Sequence, residues 1–406
     1  MASTSADSLA QDLLEHCLGG RPWPDRLLSE LLAGGDRALF RIVVERLGDL
    51  FEPRLCEVYA GLFSKVIARR IPELHAEHLL ARYLRVRRPR VFDRDPAKVR
   101  DVFVLSRVTL GADVAITSVL LDAAKQRFPE ARIWFAGPQK GWELFRADPR
   151  LQHLAISYGR SGTLDDRLSI WPELRAAVSQ PASIVIDPDS RLTQLGLLPV
   201  CAEDDYYFFE SRAYGAERDQ PLPVLAAQWA DGTFRVDQAR PYICTGLEAR
   251  RFTTTVSFGV GENPDKRVAD PFEEELLANL PRPVLIDKGA GGEEAERVER
   301  AVAKTGPGIE MWDGSFAGFA EHIARSRLYV GYDSAGGHVA SACGIPHVSI
   351  FAGFASERML QRWRPPGAQI LRAGAPAVAH ALVRAALTLV SALGVQPAAT
   401  HPRTQP

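Results

Sequence analysis

Apolar positions from residue 8 to about 90 recur every three or four places, the spacing of helices that each bury one face. Leu9, Leu13 and Leu14 form one stripe and Leu27, Leu28, Leu31 and Leu32 another, with Gly34-Gly35 predicted as a stop. Asp36 is predicted to cap a third helix carrying Leu39, Ile42, Val43 and Leu47. Pro53 and Pro72 are expected near the starts of two more. Residues 81–100 then hold eight Lys/Arg against two Asp, with Pro89 and Pro96 breaking any helix. That stretch reads as a solvated linker, with a site for an anionic partner as the alternative.

From residue 101 the period changes. Short apolar runs at 101–106, 133–137 and 183–187 accompany a helical pattern over 113–128, and 206–209 reads as a buried strand after Asp204-Asp205. Beyond a proline-rich stretch near 219–224 and a less regular region to about 250, the alternation resumes. Runs at 254–258, 284–287, 309–312, 328–331 and 348–351 are separated by helical segments such as 272–280 and 293–303. Strands alternating with helices predict parallel sheets covered on both faces. The expectation is an α/β protein with two Rossmann-like doubly wound domains and a cleft between them, behind an all-helical N-terminal extension. The predicted divisions are 1–98 for the extension, 99–240 and 241–376 for the two domains, and 377–406 for a last helix and disordered tail. In such folds ligands bind at the carboxyl ends of the strands.

Composition narrows the class. At 46% hydrophobic and 24% charged, with a net charge of −1, the chain reads as globular, with no electrostatic case for nucleic acid or a membrane surface. The five cysteines, Cys17, Cys56, Cys201, Cys244 and Cys343, are scattered, which argues against a zinc site or disulfide framework and fits a reducing compartment. The start of the chain lacks the basic-then-apolar pattern of a signal peptide, and no apolar run is long enough to span a bilayer. Together these predict a cytoplasmic protein.

Chemistry-bearing residues gather at predicted strand ends. In the segment 329–353 an apolar run ends at Asp333-Ser334, passes Gly336 and Gly337, and reaches His338 before a small-residue helix and Gly344-Ile345-Pro346. Free N–H groups at a helix start form an anion site, and the two glycines are expected to let a ligand approach the backbone. Ordinary helix capping is the alternative. His338 can equally cap, pack or hydrogen-bond Asp333, and it has no second His or Cys at metal-ligand spacing. After the first strand, Asp113 lies near the first turn of a helix, either as a cap or as a general base for an acceptor hydroxyl. A loop after 254–258 delivers Lys266 and Arg267, which are solvated or else stabilise a diphosphate leaving group. Glu293 and Glu294 open a further helix, where acids are favoured electrostatically, and a carboxylate there is alternatively a candidate to accept from ribose hydroxyls. Asp187, Asp189 and Arg191, with Arg107 beyond the first strand, are expected to meet an acceptor, a plain turn being equally open for the Asp187-x-Asp189 pair.

Taken in order, these pieces resemble the family-nine glycosyltransferases, the heptosyltransferase-like enzymes of GT-B architecture, over roughly residues 101–375. The family's Gly-Asp-Val-x-x-Thr-x-x-Leu run is matched by Asp113-Val114, Thr117 and Leu120, with Ala112 inserted after Gly111. Its Asp-Ser/Thr-Gly-x-x-His signature, followed by a small-residue helix and Gly-x-Pro, is matched by Asp333, Ser334, Gly336, Gly337, His338 and Gly344-Ile345-Pro346, with Ala335 at the usual glycine. Arg362-Trp363-Arg364-Pro365 also resembles the segment beyond that loop. The resemblance implies an inverting transferase without a metal or other cofactor, moving a sugar (a heptose is one candidate) from an ADP-linked or other nucleotide-diphosphate donor. Asp113 would be the base, and Lys266, Arg267, Glu293, Asp333, Ser334, Gly336, Gly337 and His338 would line the donor site. The acceptor could be a glycan, lipid, protein or small molecule. Two rivals stand beside it: a nucleotide-sugar epimerase on the same scaffold, and a non-catalytic binding module using the helical extension. That extension has no counterpart in the family and is a candidate oligomerisation surface.

Overall fold

The computed structural model describes residues 5–33, 37–159, 163–261, 263–289, 291–374 and 379–395. The predicted Gly34-Gly35 stop, the Asp36 cap and the tail beyond 395 lie outside them. The chain divides into two compact units.

The first unit comprises Met1–Trp142, Pro149–Arg240 and Ala355–Arg362. Its sheet is all parallel, with strands β1 (Asp101–Leu105), β2 (Arg132–Gly137), β3 (Leu151–Ala155), β4 (Ser183–Asp187) and β5 (Tyr206–Phe208) in the order β3-β2-β1-β4-β5. The helical extension belongs to this unit. Its helices include Ala6–Leu18, capped by the Ser5 hydroxyl at 3.2 Å from the Ser8 amide, Asp25–Ala33, Pro53–Arg70 with proline in the first turn, and Ala76–Val86. Side chains alternate across a strand, and on one face of the sheet Phe103, Leu105, Val185 and Phe208 share a core with Leu13, Leu31, Phe63 and Tyr83 of the extension. Leu13, Leu14, Leu28 and Leu31 of the extension are buried within their own chain.

The arginine-rich stretch corrects its reading as a solvated linker. Arg82 donates to the Gly196 carbonyl at 2.8 Å and lies 4.5 Å over the Tyr206 ring. Arg85 pairs with Glu203 at 2.7 Å, Arg94 with Asp205 at 2.7 Å and Arg87 with Glu210 at 2.9 Å. Arg90 donates to the Glu203 carbonyl at 2.7 Å. The basic run is complementary to an acidic turn flanking β5, which sequence spacing alone does not bring together.

The second unit comprises Glu143–Asp148, Pro241–Phe354 and Trp363–Pro406. Strands β6 (Thr254–Ser257), β7 (Val284–Asp287), β8 (Ile309–Trp312), β9 (Leu328–Tyr332), β10 (His347–Ala352) and β11 (Gln369–Ala373) form a parallel sheet in the order β11-β10-β9-β6-β7-β8. Helices Phe272–Asn279, Gly292–Ala303, Phe316–Arg325, Ala335–Ala342 and Ala379–Ala392 flank it. Leu276, Val298, Leu382 and Val383 pack with Val256, Ile286, Val330 and Ile350 in one core. No helix among the described residues is long and apolar enough to cross a membrane, and all five cysteines are free thiols.

Candidate active site

In the first unit, the chain leaving β1 turns into a helix that runs from Leu110 to Arg127, with one wide turn at Asp113–Thr117. Such a π-turn accommodates one extra residue without breaking the helix and recurs at functional positions. It absorbs the Ala112 insertion and keeps Val114, Thr117 and Leu120 on the buried side. The wide turn also turns the Asp113 carboxylate back towards the end of β1. Asp113 is only 1% exposed, and its Oδ1 accepts from the Arg107 amide, the Thr117 hydroxyl and the Ser106 hydroxyl at 2.8, 2.8 and 3.0 Å. Oδ2 accepts only from the Ser106 hydroxyl, at 2.8 Å, among the described residues. A Cβ at Gly141 would lie 2.9 Å from that oxygen, so glycine keeps side chains off its free lone pair. Burial pushes the Asp113 pKa up to about 6, with the hydrogen bonds from Ser106, Thr117 and the Arg107 amide opposing the rise.

The residues expected to meet an acceptor are largely internal. Asp187 is fully buried and accepts from the Ser190 amide at 2.6 Å, the Thr193 hydroxyl at 2.5 Å and the Tyr206 hydroxyl at 2.6 Å. Burial raises its pKa to about 6. Asp189 is also fully buried, held by both Arg212 nitrogens at 2.9 and 3.0 Å and by Arg107 at 3.1 Å. Arg107 in turn reaches the Pro188 and Asp189 carbonyls and the Ser211 hydroxyl. The Asp187-x-Asp189 pair therefore braces the loop after β4. Arg107 positions the base through its own amide, and Arg191 is half-buried at the start of a single turn, Arg191–Thr193.

In the second unit, the carboxyl ends of β6, β7 and β9 bring the other predicted residues together. A turn at Pro264–Lys266, capped by the Asn263 side chain, presents Lys266, whose Nζ lies 2.7 Å from Asp333 Oδ2 at the end of β9. Gly353 packs on the Asp265 backbone where a Cβ would collide, which seats this turn against the end of β10. Beside Asp333, the helix Ala335–Ala342 starts at Ser334, and its first amides face forward without intrahelical partners.

Glu294, not Glu293, faces the loop: its carboxylate accepts from the Val260 amide at 3.1 Å and lies 3.5 Å from Arg267, while Glu293 is exposed. Gly289, at φ +83°, leaves room for that carboxylate, since a Cβ there would sit 2.5 Å from Glu294 Oε2. Gly336 and Gly337 are buried, and their missing side chains make room for the Tyr329 ring beneath Gly336 and for Ser349 and Pro365 beside Gly337. His338 is buried edge-on to Trp363 at 5.8 Å, and burial lowers its pKa to about 4, which favours the neutral ring. No group of three or more His, Cys, Asp or Glu among the described residues is arranged to hold a metal ion.

The fold of two parallel sheets matches known structures. A glycosyl transferase family 9 protein from Veillonella parvula is 15% identical, with a TM-score of 0.53 over 75% of this chain and 100% of its own. The chain has the GT-B fold of the family-nine glycosyltransferases. The E. coli heptosyltransferase WaaC with ADP is 13% identical, with a TM-score of 0.53 over 71% of this chain and 99% of its own. No protein-family model and no curated protein sequence matches the chain. At this distance the GT-B likeness concerns the fold, and both structures are covered almost end to end.

Proposed function

We propose that this chain is an inverting, metal-independent glycosyltransferase that uses a nucleotide-diphosphate sugar, ADP-linked by analogy with the ADP carried by WaaC. The observation that carries the reading is the Lys266–Asp333 pair, 2.7 Å apart beside an open helix start on a GT-B second sheet. A diphosphate placed there meets a cation and a row of free amides, which together stabilise its charge. Glu294 is the carboxylate positioned to accept ribose hydroxyls, replacing Glu293.

Transfer then proceeds in one displacement. The acceptor oxygen bonds to the anomeric carbon as the bond from that carbon to the diphosphate oxygen breaks, with inversion. The hydroxyl proton passes to Asp113 Oδ2, and the leaving charge settles on Lys266 and the amides at 335–337. A base with a pKa near 6 is better matched to neutral pH than an ordinary aspartate near 4. Release of nucleoside diphosphate from ADP-, UDP-, GDP- and dTDP-sugars, with candidate acceptors and in EDTA, tests the reading. Acceptor-dependent release that persists in chelator and collapses in Asp113→Asn supports it. Release that needs no acceptor points to an epimerase or hydrolase, and no release from any donor overturns the reading.

A further inference from the structure

Three side chains of the helical extension close on one loop of the first sheet. Glu210, Ser211 and Arg212 follow β5, and all three are buried. The Tyr83 hydroxyl donates to Glu210 Oε1, and Arg87 pairs with Glu210 Oε2 at 2.9 Å. The Arg212 guanidinium lies 5.0 Å over the centre of the Tyr59 ring, a cation held on an aromatic face. Tyr59 and Tyr83 are themselves buried, on the helices Pro53–Arg70 and Ala76–Val86.

From that loop the contacts run inward to Asp113, all within the first unit. Arg212 donates to both Asp189 oxygens at 2.9 and 3.0 Å, and the Ser211 hydroxyl donates to Asp189 Oδ2 at 3.1 Å. Arg107 donates to the Ser211 hydroxyl oxygen at 2.7 Å. The Arg107 amide then donates to Asp113 Oδ1 at 2.8 Å, while the carbonyl of the same peptide, that of Ser106, accepts from the Ser190 hydroxyl. A peptide held at both ends offers its N–H in one direction, and here that direction is the Asp113 carboxylate.

Stability alone does not account for this many charges in the interior. Apolar residues of the same volume often match or better a buried ion pair, because both ions must be stripped of water. What charge-assisted hydrogen bonds add is geometry, since each fixes an angle as well as a distance. We propose that the extension positions Asp113, with Tyr59, Tyr83 and Arg87 acting as positioning residues that fix Arg107 through the 210–212 loop. That Asp113 is a base rests on the glycosyltransferase reading, whereas its placement does not. The extension, which lies outside the resemblance to family nine, thereby becomes part of the active-site scaffold.

Hydrogen–deuterium exchange of the full chain, read by mass spectrometry over residues 104–109 and over β2 as a reference, tests this. Tyr83→Phe removes one hydroxyl, and Tyr59→Leu removes the aromatic face. In both, the Arg107 and Val108 amides are expected to exchange about 3- to 30-fold faster, with β2 unchanged. Tyr59→Phe keeps the face and should match wild type. In steady-state transfer the first two variants should lower kcat by a similar factor and leave the donor KM unchanged. Unchanged exchange over 104–109 in both variants overturns the proposal. Equal acceleration in β2 overturns it too, since the tyrosines then serve the fold as a whole. Faster exchange over 104–109 in a chain that transfers no sugar removes the glycosyltransferase reading and keeps the positioning. Unchanged exchange in an active enzyme removes the positioning alone.

Discussion

Lys266 Nζ donates to Asp333 Oδ2 at 2.7 Å and lies 3.4 Å from the Asp333 carbonyl, tying the loop after β6 to the end of β9. The pair is mostly shielded, with side-chain exposures of 20% and 10%. Asp333 holds the ammonium at the helix start while leaving its remaining donors for an anion. Replacing Lys266 by alanine is expected to weaken nucleoside diphosphate binding about 10- to 100-fold, the worth of one charge-assisted hydrogen bond. Isothermal titration calorimetry of wild type and Lys266→Ala checks it, and equal affinities would remove Lys266 from the site.

Asp113 predicts two opposite pH trends. As a base it must be ionised, so kcat/KM is expected to rise as pH rises through about 6 and to level off above. Its folded pKa is raised above the ordinary value of 3.8, so its contribution to stability is full below that value and is lost as pH rises through about 6. Asp187, also raised to about 6, adds in the same direction. A pH–rate profile alongside pH-dependent urea unfolding separates the trends. Asp113→Asn should remove the rising limb and cost about 10²- to 10⁴-fold in rate.

Adjacent glutamates are expected to differ. Glu294→Gln should weaken nucleotide binding about tenfold, because the carboxylate that accepts from Val260 and faces Arg267 is lost. Glu293→Gln, at an exposed position, should leave both affinity and melting temperature unchanged. Parallel thermal-shift titrations with ADP decide which carboxylate serves.

Arg212→Ala is expected to destabilise the chain by about 3–5 kcal/mol, because it strips partners from the fully buried Asp189 carboxylate. Urea denaturation followed by far-UV circular dichroism reads the loss. A change under about 1 kcal/mol would place Asp189 among exposed ion pairs.

How far the sequence carried can be judged at individual residues. The positions of Asp113, Lys266 and Asp333 at or beyond strand ends were legible because apolar runs mark the strands of a parallel sheet, whose carboxyl ends and following loops carry these residues. The central strands β1, β4, β6, β7, β9 and β10 were legible for the same reason, as was β8. The edge strands β3 and β11 were not anticipated: LQHLA and QILRA mix polar with apolar residues and are only partly buried. Glu293 and Glu294 differ by one helical step, and only the entry angle of the helix from Gly291 and Gly292 decides which one turns inward. The packing of Tyr329 beneath Gly336 was not legible, because nothing local in the sequence marks it. The same limit hid the burial of Asp187 and Asp189, whose partners Arg212 and Tyr206 come from further along the chain.

The measurement that bears most directly on the central claim is nucleoside diphosphate binding itself. Melting curves of the wild-type chain with ADP, UDP, GDP and dTDP, each with magnesium and with EDTA, report binding to the native state by mass action. The account predicts an upward shift for one diphosphate, ADP foremost, equal with and without metal and abolished in Lys266→Ala. A shift with none of the four, or one that survives Lys266→Ala unchanged, would contradict it.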